Sequence, residues 1–231
     1  MLTVRILRLP HSAHPEEFEA LAAEPEVDLR FVDRAEELGV PDMVVLPGSE
    51  ATIPDVTRMR ETGMDAAVRR AAERGSLLFG ICGGFQMLGT ELHDPEGLEG
   101  GAPTANGLGV LPVRTTFTRN SIDERVQASA GRAGFLDPGA TVSGFELHGG
   151  CSTVEEGADV VSLLQENAKG DSICPLALAT RDYAAMGTYL HGILADPVFR
   201  RRILEHLRSR RRQRGEASSA PPSGADAAAS L

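Results

Sequence analysis

SLLFGICGGFQMLGT, Ser76 to Thr90, runs from a wholly apolar segment through Cys82 into a glycine pair and then a second apolar piece. A short apolar run bounded by glycines reads as a buried strand of a parallel sheet, and the piece after the glycines as a helix. Cys82 then stands at the strand's carboxyl end, the edge where open α/β sheets place their chemistry. A nucleophile on a sharp strand-to-helix turn is held in a strained conformation that only small neighbours permit, and Gly80, Gly83 and Gly84 supply the room. The free N–H groups at the start of that helix favour a thiolate and can hold an oxyanion. The same stretch also accommodates an inert cysteine buried beside glycines.

Outward from this turn the chain alternates. LTVRIL (2–7) reads as a first strand. PEEFEALAAE (15–24) reads as a short helix, opened by Pro15 with Glu16 and Glu17 at its positive end. EVDLRFV (26–32) is a second strand, and PDMVVLPGS (41–49) a third that ends in the turn Pro47, Gly48, Ser49. DVTRMRETGMDAAVRRAAERG (55–75) has helical spacing in two pieces broken near Gly63. This is the alternation of a doubly wound, mostly parallel α/β sheet flanked by helices, and it brings the Gly48 turn and Cys82 to one edge. From Gly107 onward GLGVLPVRTTF, ATVSGFELH, DVVSLL and YAAMGTYLH are β-like and separated by Gly, Asn and Asp, which predicts an antiparallel extension in the second half. DPVFRRRILEHLRSR (196–210) closes as a helix with Val198, Ile203, Leu204 and Leu207 in a stripe.

The 231 residues suit one α/β domain with a tail. Five arginines, Arg208, Arg210, Arg211, Arg212 and Arg214, precede EASSAPPSGADAAASL, a composition that cannot bury apolar area. The expected division is therefore a domain over 1–207 and a disordered tail over 208–231. With the net charge at −10 and residues 208–231 carrying five Arg against Glu216 and Asp226, the body is acidic, which argues against a nucleic-acid surface. No apolar run approaches a membrane span and MLTVRILRLP lacks the features of a signal peptide, so a cytoplasmic location is expected. Three widely spaced cysteines, Cys82, Cys151 and Cys174, indicate neither a disulfide framework nor a zinc knuckle, and no metal is expected.

A cysteine nucleophile needs a base. His11 and His14 lie in a polar turn, His93 in an acidic loop and His206 near a charged helix end, whereas His191 follows the strand-like MGTYL and precedes Gly192. A histidine at a strand end is placed to take the thiol proton and return it to a leaving group, although turn and packing histidines share that position.

These residues carry a resemblance. GICGGFQMLG resembles the nucleophile motif of the class I glutamine amidotransferases, a flavodoxin-like fold, in their cobyric acid synthase branch. LPGSEATIPDV, RETGMDAAV, DPEGLEG, GLGVLPVRTTF, GFELHGG and GTYLHGILADPVFRRRIL resemble the glutaminase domain of that branch in the same order. The resemblance implies that Cys82 forms a glutamyl thioester and that His191 is base and acid. It also implies an oxyanion hole at Gly48 and Gly83, Gln86 in the glutamine pocket, and ammonia supplied for amidation of corrinoid carboxylates. Glu146 and His148 in GFELH are candidates for supporting positions behind the dyad, or a plain surface alternation.

Four positions depart from the pattern. Ile193 stands where the usual acid follows the histidine by two residues, so a Cys/His dyad is expected with its orienting group open. Glu50 replaces a lysine after LPGS, and Cys151 and Ser152 replace Arg and Thr after the HxG. There is no GxxxxGK[ST] loop, so no cofactor is expected in this chain, and ATP and magnesium are expected on an ATP-dependent corrinoid amidoligase partner. Two other readings stand beside this one: a free-standing glutaminase subunit that amidates a peptidoglycan lipid precursor with a Mur ligase-like partner, and an inactive, regulatory glutaminase-like module.

Overall fold

The computed structural model describes residues 1–131, 134–166 and 174–219. Its first half is the predicted alternation. β1 (Leu2–Leu7), a 3-10 turn at Pro15–Phe18, α1 (Glu19–Ala22), β2 (Val27–Val32), α2 (Ala35–Leu38) and β3 (Met43–Leu46) lead to α3 (Thr52–Glu61), α4 (Met64–Glu73), β4 (Leu77–Ile81) and α5 (Gly83–Leu88). β2, β1, β3 and β4 pair in parallel in that order, and every residue of β3 and β4 is buried. Strands covered by helices on both faces have no wet side, which is why MVVL and LLFGI are apolar throughout rather than alternating. The helix expected at 15–24 is instead a 3-10 turn followed by one turn of α-helix, a start that places Glu17 and Phe18 inward.

The second half comprises β5 (Glu91–His93), β6 (Thr104–Asn106), β7 (Val113–Ala130), β8 (Thr141–Val154), β9 (Val160–Glu166), β10 (Ala177–Thr180), β11 (Ala185–Thr188), β12 (Leu190–His191) and α6 (Pro197–Ser219). β11 returns parallel to β4, and from there β10, β9, β7, β8 and β12 continue the sheet antiparallel. His93 lies on β5 rather than in a loop. β7 and β8 form a long ribbon with a register shift between Thr116 and Ser121. The turn back from this ribbon delivers β12 to the edge where β4 ends.

α6 continues past the expected tail boundary at 208 to Ser219, and the remainder of the expected tail, 220–231, lies outside the described residues. Four of the five arginines assigned to the tail reach the body. Arg208 pairs with Glu26, Arg211 and Arg214 pair with Asp42, and Arg210 donates to Gly75 O at 3.2 Å. Long cationic side chains bury their stems while their heads reach acids and carbonyls, so a basic run extends a helix over an acidic surface. No helix among the described residues is long and apolar enough to cross a membrane, and no group of three or more His, Cys, Asp or Glu is placed to hold a metal ion.

Candidate active site

Cys82 takes φ 50° and ψ −111°, a region that L-residues rarely occupy. Such strain costs about 1–3 kcal/mol and persists only where the surroundings over-determine it. Here they do. Cys82 N donates to Thr188 O at 2.8 Å across the β4–β11 pair, and Cys82 O accepts from Gln86 N at 3.0 Å as the first bond of α5. The turn is tight because Gly84 has no side chain: a Cβ there would fall onto Leu46 O and within 2.8 Å of Pro47 O. Cys82 stays half-buried, with Sγ 3.2 Å from Leu147 O of β8.

His191 ends β12, where the pair with β8 (Leu190 opposite Glu146, His191 opposite Phe145) fixes its backbone beside the elbow. Burial works against the charged imidazole, but its interactions with the neighbouring Cys82 and Glu17 outweigh this and push its pKa up to about 10. Near neutral pH the ring is an imidazolium between two acidic groups. The third wall is Gly48, where a Cβ would meet His191 Cε1 at 2.9 Å and Cys82 Cβ at 3.9 Å.

The Gly48 turn is held from outside. Gly48 O accepts from Ala13 N at 3.0 Å, Glu50 N donates to His11 O at 3.1 Å, and Ser49 Oγ donates to Asp55 Oδ2 at 2.7 Å. Asp55, fully buried on α3, also meets His11 Nδ1 at 2.8 Å. Ser49 N lies 2.9 Å from the place a Gly83 Cβ would take, so the two turns expected to form an oxyanion hole pack against each other.

Gln86, expected in the glutamine pocket, is held at both ends of its amide by the protein. Its side chain is 2% exposed, accepts from Thr52 Oγ1 at 3.2 Å, and donates to Gly149 O at 3.2 Å and Tyr189 OH at 3.3 Å. A primary amide with both ends engaged by the protein ties α5 to β8 and β11–β12 from beneath. Glu146 and His148 are buried rather than a surface alternation. His148 Nε2 meets Glu146 Oε1 at 3.0 Å and Nδ1 meets Gly150 O at 3.0 Å, while the ring stacks on Tyr189 at 3.7 Å. Tyr189 OH reaches Ser152 Oγ at 2.6 Å, and Ser152 reaches Thr115 at 2.7 Å. This polar layer underlies the elbow, with Cys151 beside it, its Sγ 3.6 Å from Ser152 O. Glu50 is exposed at the rim.

Two side chains absent from the expected site border it. The His14 ring stands edge-on to His191 at 5.3 Å between centroids, and Glu17 Oε2 lies 3.6 Å from His191 Nδ1. Glu17 reads in sequence as an acid at a helix start. The cue to its burial was its place beside Phe18 and one turn before Leu21, both in the core.

Residues 3–199 match the model of the CobB/CobQ-like glutamine amidotransferase domain. The chain is 40% identical over 220 residues to a cobyric acid synthase of Synechococcus sp., covering 91% of this chain and 42% of that protein. It is 39% identical over 216 residues to the cobyric acid synthase of Salmonella arizonae, covering 91% and 41%. The chain thus spans about two fifths of the length of these relatives. Among solved structures, PurLQS from Thermotoga maritima superposes with a TM-score of 0.67 at 18% identity, covering 89% of this chain and 99% of that one. A crystal structure of a glutamine amidotransferase gives 0.62 at 22%, covering 89% and 98%. At those identities the likeness bears on the fold.

Proposed function

Since the chain belongs to the family of CobB/CobQ-like glutamine amidotransferase domains, we propose that Cys82 and His191 hydrolyse glutamine through a cysteinyl thioester. The observation that carries this reading is a strained, half-buried cysteine beside a histidine, the two side chains meeting over Gly48, with the imidazole's pKa raised by its acidic neighbours. Cys82 Sγ attacks the side-chain amide carbon of glutamine. The amide oxygen takes up negative charge against N–H groups of Gly83 and of the Gly48 turn, which need no reorganisation because both turns are already fixed. Collapse breaks the C–N bond, His191 gives its proton to the departing nitrogen, and ammonia leaves. The neutral His191 then takes a proton from water, the resulting nucleophile attacks the thioester carbonyl, and glutamate departs as Cys82 is restored. Gln86 and the layer of Glu146, His148 and Tyr189 act by keeping the elbow rigid.

The relatives' name points to the recipient. In this reading the ammonia amidates corrinoid side-chain carboxylates on an ATP-dependent amidoligase domain or subunit, and ATP and magnesium belong to that partner.

Glutamate release from glutamine tests the proposal, with wild type, Cys82→Ala and His191→Ala compared in the presence and absence of a corrinoid amidoligase. The expected result is a loss of about a thousandfold or more in both variants, since members of one catalytic unit fail together, and stimulation of the wild type by the ligase. Turnover by Cys82→Ala equal to wild type would exclude the thioester. A wild type silent in every arm would leave an inactive module.

A further inference from the structure

An imidazole that passes a proton to and from sulfur must show one nitrogen to the sulfur, and the other nitrogen is the handle that keeps the ring from turning. Two residues after His191 stands Ile193, fully buried and without a side-chain polar atom. His191 Nδ1 is itself buried and makes no hydrogen bond among the described residues.

The carboxylate that faces it comes from the other end of the chain. Glu17, 8% exposed on the 3-10 turn Pro15–Phe18, places Oε2 at 3.6 Å from Nδ1. That oxygen accepts from Gly192 N at 3.2 Å, so the carboxylate is anchored to the backbone that carries the imidazole. Its other oxygen, Oε1, is buried and has no hydrogen-bond partner among the described residues. Burying a carboxylate costs several kcal/mol unless it is paired. An unpartnered ring nitrogen and a buried carboxylate face each other across a gap a few tenths of an ångström beyond a hydrogen bond, and catalytic hydrogen bonds tighten when substrate fills a site.

We propose that Glu17 is the positioning residue of His191: its carboxylate takes the Nδ1 proton as a hydrogen bond and turns Nε2 toward Cys82, in place of the acid that Ile193 lacks. This rests on the glutaminase reading for its kinetic arm only. The titratable groups around His191 are Cys82 from the elbow, Glu17 from the 3-10 turn, and His14, which faces it edge-on and meets Glu16 at 3.1 Å on the outer side. β8 presents the apolar Phe145 opposite its backbone. Glu17 is therefore the one carboxylate facing the ring among the described residues. The sign follows: loss of its charge makes His191 less basic, and the ring loses its proton at a lower pH.

The experiment compares wild type, Glu17→Gln and Glu17→Asp in two readouts. By NMR, the His191 titration midpoint falls by about one pH unit or more in Glu17→Gln, as removal of a contacting charge requires, and stays raised in Glu17→Asp. In glutamine hydrolysis, kcat falls about 10- to 100-fold in Glu17→Gln, the range for residues that orient a working ligand, with KM unchanged and partial recovery in Glu17→Asp. An unchanged midpoint together with unchanged kcat overturns the proposal. A wild type that releases no glutamate defeats the glutaminase reading instead, while the titration still decides Glu17. Should Glu17→Gln fail to fold, the wild-type nitrogen spectrum decides: a hydrogen-bonded Nδ1–H on His191 supports the assignment, and an Nδ1 proton exchanging freely with water defeats it.

Discussion

The elbow at Cys82 and the turn from Pro10 to Phe18 face each other across His191, and they are specified in opposite ways. The elbow is written in one continuous stretch, where strand, strained cysteine, glycines and helix follow in order. The turn contributes Ala13 to hold Gly48, His11 to hold Asp55, and Glu17 to face a histidine 174 positions further on. Its role exists only once β12 has returned to the sheet edge. The small neighbours that a strained nucleophile needs can be encoded locally, although Thr188, Leu46 and Pro47 from elsewhere in the chain hold the strain in place. Orientation of a base needs a carboxylate aimed from a separate element, and the place of Glu17 beside Phe18 and one turn before Leu21 marks which acid turns inward but not which histidine it will meet.

The sharpest way to break that contrast is at Gly84. A methyl group there would collide with backbone atoms of Leu46 and Pro47, which cannot swing aside as a side chain can. Gly84→Ala is expected to cost about 3 kcal/mol or more, the upper range of overpacking, and to abolish glutamine turnover along with it. Urea unfolding measures it, and a variant as stable as wild type would mean that the elbow is not set by its glycines.

Gly48→Ala separates the regions more finely. The added Cβ meets a movable side-chain atom, His191 Cε1, so the fold survives while the ring is displaced from the sulfur. A shift of about 1 Å in a reacting group costs on the order of a hundredfold. The expected outcome is that loss in kcat with a melting temperature within a few degrees of wild type, and full activity would sink the assignment of Gly48 as a wall of the site.

The same distinction marks how far the sequence could be read. The parallel core and the positions of Cys82 and His191 were legible because each rests on a local pattern: an unbroken apolar run, a glycine turn, a histidine at a strand end. The length of β7 was not. GLGVLPVRTTF suggests a strand ending near Phe117, but the ribbon continues through RNSIDERVQASA, which is polar because several consecutive residues face solvent on both sides. An alternating pattern marks a strand only where one face is covered. Gln86 resisted for another reason. A glutamine on the first turn after a nucleophile can line a pocket or brace a helix, and its partners Thr52, Gly149 and Tyr189 come from segments far apart in the chain.

The C-terminal arginines carry the lesson to its smallest measurable effect. Read along the chain, the run at 208–214 is a charged end; in space Arg214 pairs with Asp42, 172 positions away and nearly buried beneath α6. Asp42 keeps other partners, since Thr3 N donates to it at 2.8 Å and Arg211 approaches at 3.3 Å. Removal of one arginine therefore leaves the carboxylate satisfied, and the loss is limited to one partly exposed ion pair and the packing of its stem over Gly75. Arg214→Ala is expected to destabilise by about 1 kcal/mol, at the upper end for such pairs, with kcat unchanged because α6 contacts the site through no side chain of this run. A tail that touched nothing would give no change in urea unfolding, so even this modest shift discriminates between a distant partner and none.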